Sequence, residues 1–255
     1  MTRNAIVTGA ASGIGAAVAR RLLDDGWRVA GLDRAFRSEA GQDAGSSGMQ
    51  SIECDVAEEA SIDTAFATVA KQFGHVDAIV CAAGVLATGS LTDMAVSDFD
   101  RIFAVNTRGA WLCARAAVPL MVERPAAIKH NPGRIVFVGS IAGIRPKTGG
   151  GAYGAQKSAL HVITGVMAAE LGPQGILVNA VAPGTVDTPM IAAVTSSLGD
   201  SSYRPSGNSP LGRIGQPKDV ANVIHFLCGD ASTYVTGSII PVDGGTRAAF
   251  VPPTG

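Results

Sequence analysis

The chain has 255 residues, of which 47% are hydrophobic and 16% charged, with a formal net charge of -1. This length and composition suit one globular domain with a sizeable core and exclude a disordered chain. The near-zero charge and the lack of a basic stripe argue against nucleic acid or an anionic membrane as partner.

Taken in chain order, short apolar, β-branched runs alternate with stretches of helical spacing. Strands are predicted at Ala5–Thr8, Arg28–Leu32, Ser51–Cys54, Ala78–Cys81, Arg134–Val138, Leu177–Val181 and Ser238–Val242. Helices are predicted at Gly13–Asp25, Ala60–Phe73, Ser97–Val122, Ala152–Leu171 and Pro217–Cys228. Strands apolar throughout and alternating with helices predict a Rossmann-type, doubly wound α/β fold. Its seven-stranded parallel sheet would carry helices on both faces, in a single domain spanning 1–255. The first strand leaves no room for the apolar core of a signal peptide, and no apolar run approaches the roughly 18 residues of a membrane span. The expectation is a cytoplasmic protein.

The first strand enters Thr8-Gly9-Ala10-Ala11-Ser12-Gly13-Ile14-Gly15, which opens the first helix. Glycines let the backbone turn tightly and let a pyrophosphate approach it, and the helix N-terminus adds unpaired N–H groups and a positive dipole end. Gly9, Ser12, Gly13, Ile14 and Gly15 are therefore candidate dinucleotide contacts. The second strand ends in Asp33, 24 residues after Gly9. A carboxylate there is either a surface acid or the acceptor for both adenosine ribose hydroxyls, in which case it repels a 2′-phosphate. Arg34 and Arg37 follow and could pair with such a phosphate, but the acid comes first, so the reading favours NAD over NADP. Arg34–Gln50, rich in Gly, Ser and Ala, reads as a loop. Asp55-Val56 follows the third strand, with Asp55 open to reading as a helix cap before Ala57-Glu58-Glu59 or as a ligand contact.

Further along, Asn106 lies inside an otherwise apolar helical pattern, where a buried amide needs partners. Ser140 follows the fifth strand through Gly139. A hydroxyl at the C-terminal end of a strand faces the ligand crevice of an open α/β sheet, although a serine there can equally cap a turn. Thirteen residues on, Tyr153-Gly154-Ala155-Gln156-Lys157 places a phenol and an ammonium four residues apart on one helix face. Tyrosine alone is a poor base, with a reference pKa near ~10, and a nearby cation favours its phenolate. Tyr153 is thus a candidate acid/base and Lys157 its electrostatic partner.

Ile191–Pro210 is polar and punctuated by Gly and Pro, as a substrate lid would be, within a lid region of about 187–213. The helices Ser97–Val122 and Ala152–Leu171 carry apolar residues over a wide arc, including Ile102, Trp111, Leu112, Leu160, Val162, Ile163 and Val166, and an apolar tail runs over Ala248-Ala249-Phe250-Val251-Pro252-Pro253. Both predict burial against other subunits. Cys54, Cys81, Cys113 and Cys228 form no C-x-x-C pair and read as structural thiols. His75, His130, His161 and His225 are scattered, and no metal site is expected.

The spacing of Thr8-Gly9-Ala10-Ala11-Ser12-Gly13-Ile14-Gly15, together with Asn106, Ser140, Tyr153 and Lys157, resembles the short-chain dehydrogenase/reductase family over nearly the whole chain. That resemblance implies an NAD(H)-dependent oxidoreductase interconverting a secondary alcohol and a ketone. Tyr153 would be the general acid/base, Ser140 would hold the substrate oxygen, Lys157 would hold the cofactor ribose, and Asn106 would hold a water linking the lysine to solvent. It implies that Asp55 and Val56 meet the adenine and that Ala83 and Gly84 pass close to the cofactor. In Pro183-Gly184-Thr185-Val186-Asp187-Thr188, it brings Val186 and Thr188 to the nicotinamide carboxamide. Cys81-Ala82-Ala83-Gly84 departs from the family's N-N-A-G and lacks both asparagines, which weakens the hydrogen bonds expected around the central sheet. Asp243-Gly244-Gly245 matches the family's closing turn, and the family's helix-paired and C-terminal interfaces imply a homotetramer.

The substrate is less legible. Gly31-Leu32-Asp33-Arg34-Ala35-Phe36 and Cys81-Ala82-Ala83-Gly84-Val85-Leu86 are similar to dihydrodiol dehydrogenases that make 2,3-dihydroxybenzoate. A 3-oxoacyl-carrier-protein reductase is an alternative, although these commonly use NADPH. The Tyr–Lys spacing counts against an enoyl reductase, and too little chain follows Pro183 for a sugar-nucleotide epimerase. A catalytically silent NAD-binding regulator would not need the acid/base pair.

Overall fold

The computed structural model describes residues 2–36, 48–123, 131–196 and 209–248. Seven strands form one sheet: β1 (Asn4–Thr8), β2 (Arg28–Asp33), β3 (Gln50–Glu53), β4 (Ala78–Cys81), β5 (Gly133–Val138), β6 (Ile176–Pro183) and β7 (Ile239–Val242). Their order is β3-β2-β1-β4-β5-β6-β7, and every pairing is parallel. The helices are α1 (Gly13–Asp24), α2 (Glu59–Phe73), α3 (Val96–Phe103), α4 (Ala110–Val122), α5 (Gly151–Leu171), α6 (Pro189–Ser196) and α7 (Pro217–Cys228).

The central strands β1, β4 and β5 are buried throughout because both faces are covered, whereas the edge strand β3 alternates between half-buried and exposed residues. Side chains alternate across the sheet. Ile6, Ile79, Ile135 and Phe137 pack with Ile62 and Val69 of α2, Cys113 and Ala117 of α4, and Leu160 of α5. Ala5, Val7, Val80 and Val136 face the other way, onto Val18 and Leu22 of α1 and Val220 and Ile224 of α7. The chain leaves β1 towards β2 on one side, while β4 lies on the other. The crossovers therefore diverge at the β1/β4 seam, and a crevice opens at the C-terminal ends of these strands.

The loop that follows β4 is held to β1 near that seam. The residues standing where the family has asparagines are Cys81 and Ala82, and the Thr8 hydroxyl accepts hydrogen bonds from the amides of both Ala82 and Ala83, each at 3.1 Å. One threonine at the end of β1 thus fastens the loop that follows β4.

Three departures from the expected elements matter for the site. The run predicted as one helix over Ser97–Val122 is interrupted between α3 and α4 by a π-helical segment, Ala104–Gly109. Such insertions widen the turn by one residue and redirect side chains. Here four successive residues reach three neighbouring segments. Asn106 binds Val85, the Thr107 hydroxyl donates to the Gln156 carbonyl at 3.0 Å, Arg108 donates to the Ala57 carbonyl at 2.9 Å, and Gly109 lies directly beneath the Val56 carbonyl. Second, the start of the region read as an irregular lid is helical, since α6 spans Pro189–Ser196 and its first residue is a proline, whose fixed φ suits a helix start. Third, β6 runs on to Pro183 and so delivers the Pro183–Thr188 turn directly to the crevice. Arg37, most of the loop Arg34–Gln50, the lid from 197 to 208 and the tail beyond Ala248 lie outside the described residues. No helix among the described residues is long and apolar enough to cross a membrane.

Candidate active site

Every residue singled out above as a cofactor or catalytic candidate lines one cleft at the C-terminal edge of the sheet. Its floor is the turn between β1 and α1. Gly9 (φ +69°) and Gly13 (φ +55°) occupy left-handed backbone. A Cβ on Gly9 would lie 2.8 Å from the backbone of Ala83, and one on Gly15 would overlap the Gly9 carbonyl. Ser12 precedes α1 without forming a side-chain cap, and the first turn of α1 holds no acidic residue. The orphan amides and positive end of α1 are therefore left to face the cleft. These are the features a pyrophosphate requires.

Asp33 stands at the end of β2 with its carboxylate fixed from two sides, by the Ala11 amide at 3.1 Å and the Ala35 amide at 2.9 Å. Lone pairs remain on both oxygens for diol hydroxyls. Asp55 is not the cap of α2, a position held by Glu58. Instead its carboxylate accepts the Ala57 amide at 2.9 Å, closing a tight turn that holds Val56 at the cleft wall.

At the opposite end, Ser140 does both things the sequence left open. Its hydroxyl oxygen accepts the Ala142 amide at 3.1 Å and caps a short 3₁₀ turn, Ile141–Gly143, while the residue lines the cleft. Tyr153 lies in the first turn of α5, and Lys157 Nζ is 5.8 Å from its ring centre. Lys157 is buried, and its ammonium donates to the Val138 carbonyl at 2.8 Å. Burial pushes its pKa down to about 8. The ammonium has two further protons for partners in the cleft.

Asn106 sits across from this pair, but both ends of its side-chain amide are occupied. It accepts the Val85 amide and donates to the Val85 carbonyl, each at 2.7 Å. The side chain therefore clamps the loop after Gly84, with one N–H and one lone pair left over. Gly184 packs on Asp243, where a Cβ would meet the Asp243 Cα at 3.0 Å, so the closing turn Asp243-Gly244-Gly245 supports the Pro183–Thr188 segment from behind. The Thr188 methyl lies against Gly13, 3.3 Å from where a Cβ would stand, bringing this segment over the phosphate turn.

The sequence reading missed Val85, Met190 and Ile191, which line the cleft between Ser140 and α6. Apolar residues, whether in a loop as Val85 is or at the start of α6 as Met190 and Ile191 are, carry no motif; adjacency to Gly84 and Thr188 was the only signal available. All four cysteines are buried, with burial raising the thiols of Cys54 to about 11 and of Cys81 and Cys228 to about 12. Among the described residues no group of three or more His, Cys, Asp or Glu side chains could hold a metal ion.

Comparisons with known proteins bear on this arrangement. A family model described as Enoyl-(Acyl carrier protein) reductase matches residues 9–247. A short-chain dehydrogenase/reductase from Armillaria gallica is 36% identical over 258 residues, covering 95% of each chain. A cyclohexanol dehydrogenase from Rhodococcus sp. (strain TK6) is 37% identical over 264 residues, covering 94% of each chain. The structure of a 3-ketoacyl-(acyl-carrier-protein) reductase from Brucella melitensis complexed with NADH superimposes with a TM-score of 0.83 at 30% identity, over 96% of this chain and 98% of that one.

Proposed function

This chain belongs to the short-chain dehydrogenase/reductase family and is an oxidoreductase, and from that premise we propose that it interconverts a secondary alcohol and a ketone with NAD(H). The observation that carries the reading is the meeting of Tyr153 and Lys157, one turn apart on α5, with Ser140 in a cleft whose other end offers the open amides of α1.

The residues fit a nicotinamide dinucleotide. Gly9, Ser12, Gly13, Ile14 and Gly15 would hold the pyrophosphate, Asp33 the adenosine ribose, and Asp55 and Val56 the adenine. Ala83, Gly84, Pro183, Gly184, Val186 and Thr188 would line the nicotinamide end, and Lys157 and Tyr153 would meet its ribose. When bound, this group supplies or accepts the hydride. The chain's own work is to position and to move a proton. Ser140, whose oxygen already accepts the Ala142 amide, keeps its proton for the substrate oxygen. Tyr153 takes the hydroxyl proton in oxidation and returns it in reduction. The Lys157 cation favours negative charge on the phenol oxygen. Asn106 holds Val85 and, through the π segment, the opposite wall of the cleft. Holding the reacting atoms in place contributes as much as acidity does.

Asp33 supports NAD over NADP, because a fixed carboxylate repels a 2′-phosphate. Val85, Met190 and Ile191 support an apolar substrate wall, which makes cyclohexanol and cyclohexanone the first probes. The exposed apolar residues Trp111 on α4 and Val162 and Val166 on α5 support pairing of these helices between subunits, and with it a homotetramer; Ile102, Leu112 and Leu160 of the same predicted arc are buried within the subunit. Four unpaired buried thiols support a reducing, cytoplasmic setting. The test is NADH oxidation followed by absorbance with a panel of cyclic and acyclic ketones, in parallel with NADPH. Absence of turnover with every ketone, while NADH still binds, would overturn the catalytic reading in favour of a silent NAD-binding protein.

A further inference from the structure

His161 completes a series that neither the motif nor the mechanism uses. Tyr153, Lys157 and His161 follow one another at four-residue intervals on one face of α5. The imidazole does not reach the cleft lining but lies behind it, wedged against the turn that carries Ser140. A Cβ on Gly139 would overlap His161 Nε2, and a Cβ on Gly143 would stand 2.8 Å from His161 Cε1 and 2.7 Å from the backbone of Lys157. Only glycine on each side of Ser140 permits this approach. Nε2 is buried and has no hydrogen-bond partner among the described residues. The ring therefore contributes bulk at this contact rather than a bond. Burial, and next the Lys157 cation, hold its pKa down to about 4, so near neutral pH it adds no second cation beside Lys157.

Two neighbours on the same helix tie down the ends of the turn. Lys157 donates to the Val138 carbonyl at 2.8 Å, and the Ser158 hydroxyl donates to the Gly143 carbonyl at 2.7 Å. Between these two anchors the ring meets Gly139, at the start of the turn, while Gly154 of α5 lies against the Ala142 carbonyl beyond Ser140. We propose that His161 is a positioning residue for Ser140: its ring is the spacer that sets the turn 139–143 at a fixed height above α5, so that the helix carrying Tyr153 also decides where the serine hydroxyl stands. The proposal rests on the reading of Ser140 and Tyr153 as catalytic.

Three substitutions test it: His161→Ala, which removes the spacer, His161→Leu, which keeps comparable bulk without polarity, and His161→Ala combined with Ser140→Ala. With cyclohexanone and NADH, His161→Ala is expected to lower kcat by about tenfold or more while KM for NADH stays within about twofold, since a displacement of an ångström at a reacting group is that costly. His161→Leu should recover most of the loss, and His161→Ala should add nothing once Ser140 is already alanine. Hydrogen exchange of the Ala142 and Gly143 amides, which bond to Ser140, should quicken in His161→Ala and not in His161→Leu. If the alanine variant does not fold, His161→Val carries the same comparison. Unchanged kcat in His161→Ala, losses that add to those of Ser140→Ala, or a His161→Leu variant as impaired as the alanine one would overturn the spacer role. Failure of the wild type to turn over any ketone would count against the oxidoreductase reading instead, and the exchange measurement would still decide the positioning.

Discussion

The two ends of the cleft are built from different material. At the end proposed to hold the pyrophosphate, the groups on offer are backbone amides of α1, and side chains matter mainly by being absent, as at Gly9 and Gly15. At the end proposed as catalytic, the groups are side chains brought from separate elements: Ser140 after β5, Tyr153 and Lys157 on α5, and Asn106 from the π segment. A backbone-built site fails when atoms are added, because there is no slack to absorb them. A site built of side chains fails when atoms are removed, one chemical role at a time, and leaves binding largely intact.

The sharpest break should come from Tyr153→Phe. Removing one oxygen takes away the proton donor and acceptor, and a loss of kcat of about 10³-fold is expected, within the range of general acid–base catalysis. NADH affinity, read by fluorescence titration, should barely change; a Phe variant that keeps most of its kcat would remove Tyr153 from the chemistry. Gly15→Ala should do the reverse. Its Cβ overlaps the Gly9 carbonyl, so the turn must open, and NADH should bind about 100-fold more weakly, a shift of about 2.7 kcal/mol. If both variants lost NADH affinity equally, the contrast between the two ends would collapse.

Asp33→Ala sits between these cases, since it removes a side chain that repels rather than one that reacts. The ratio of kcat/KM for NADH over NADPH should fall by about tenfold, roughly 1.4 kcal/mol of lost discrimination. A wild-type preference for NADPH would refute the assignment outright.

The smallest expected effect concerns stability and has the opposite sign to its effect on activity. Lys157 is buried with its pKa depressed to about 8, so the native state carries a disfavoured cation below that pH. Lys157→Met should abolish turnover yet raise the melting temperature near neutral pH by about 2–4 °C, corresponding to about 1 kcal/mol after loss of the Val138 bond is offset. The pH dependence follows from the same shift. Between about pH 8 and the unfolded value near ~10.4, the native state sheds a proton that the unfolded chain keeps, so this group makes the wild type gain stability with rising pH. The Met variant should lack that alkaline gain, and calorimetry from pH 7 to 10 would show whether it does.

Legibility followed the same division. The glycine turn, Asp33 and the Tyr153/Lys157 pair were readable because each is local: a fixed spacing on one strand, turn or helix specifies its geometry. Ser140 was only half readable, since a serine after a strand can cap a turn or face a ligand crevice, and here it caps a turn while lining the cleft. The start of the lid was misread because the Ser, Gly and Pro residues that follow Ser196 outweighed the helical run Pro189-Met190-Ile191-Ala192-Ala193-Val194 before them. The interruption at Ala104–Gly109 carried no signal, because the apolar spacing of α3 and α4 on either side is that of one continuous helix.

By itself, then, the order of residues determined the parallel sheet, the place of the crevice, the glycine turn before α1 and the pairing of Tyr153 with Lys157 on one helix face. All of these follow from periodicity and short-range spacing. Only the tertiary structure decided that Asn106 would spend its side chain on Val85, that Thr8 would hold the amides of Ala82 and Ala83, that Lys157 would anchor to Val138, and that His161 would lie beneath the turn of Ser140. The physical reason is common to all four. Periodicity tells which face of an element is buried, but the partner that meets it comes from another part of the chain, chosen by how whole helices and strands pack.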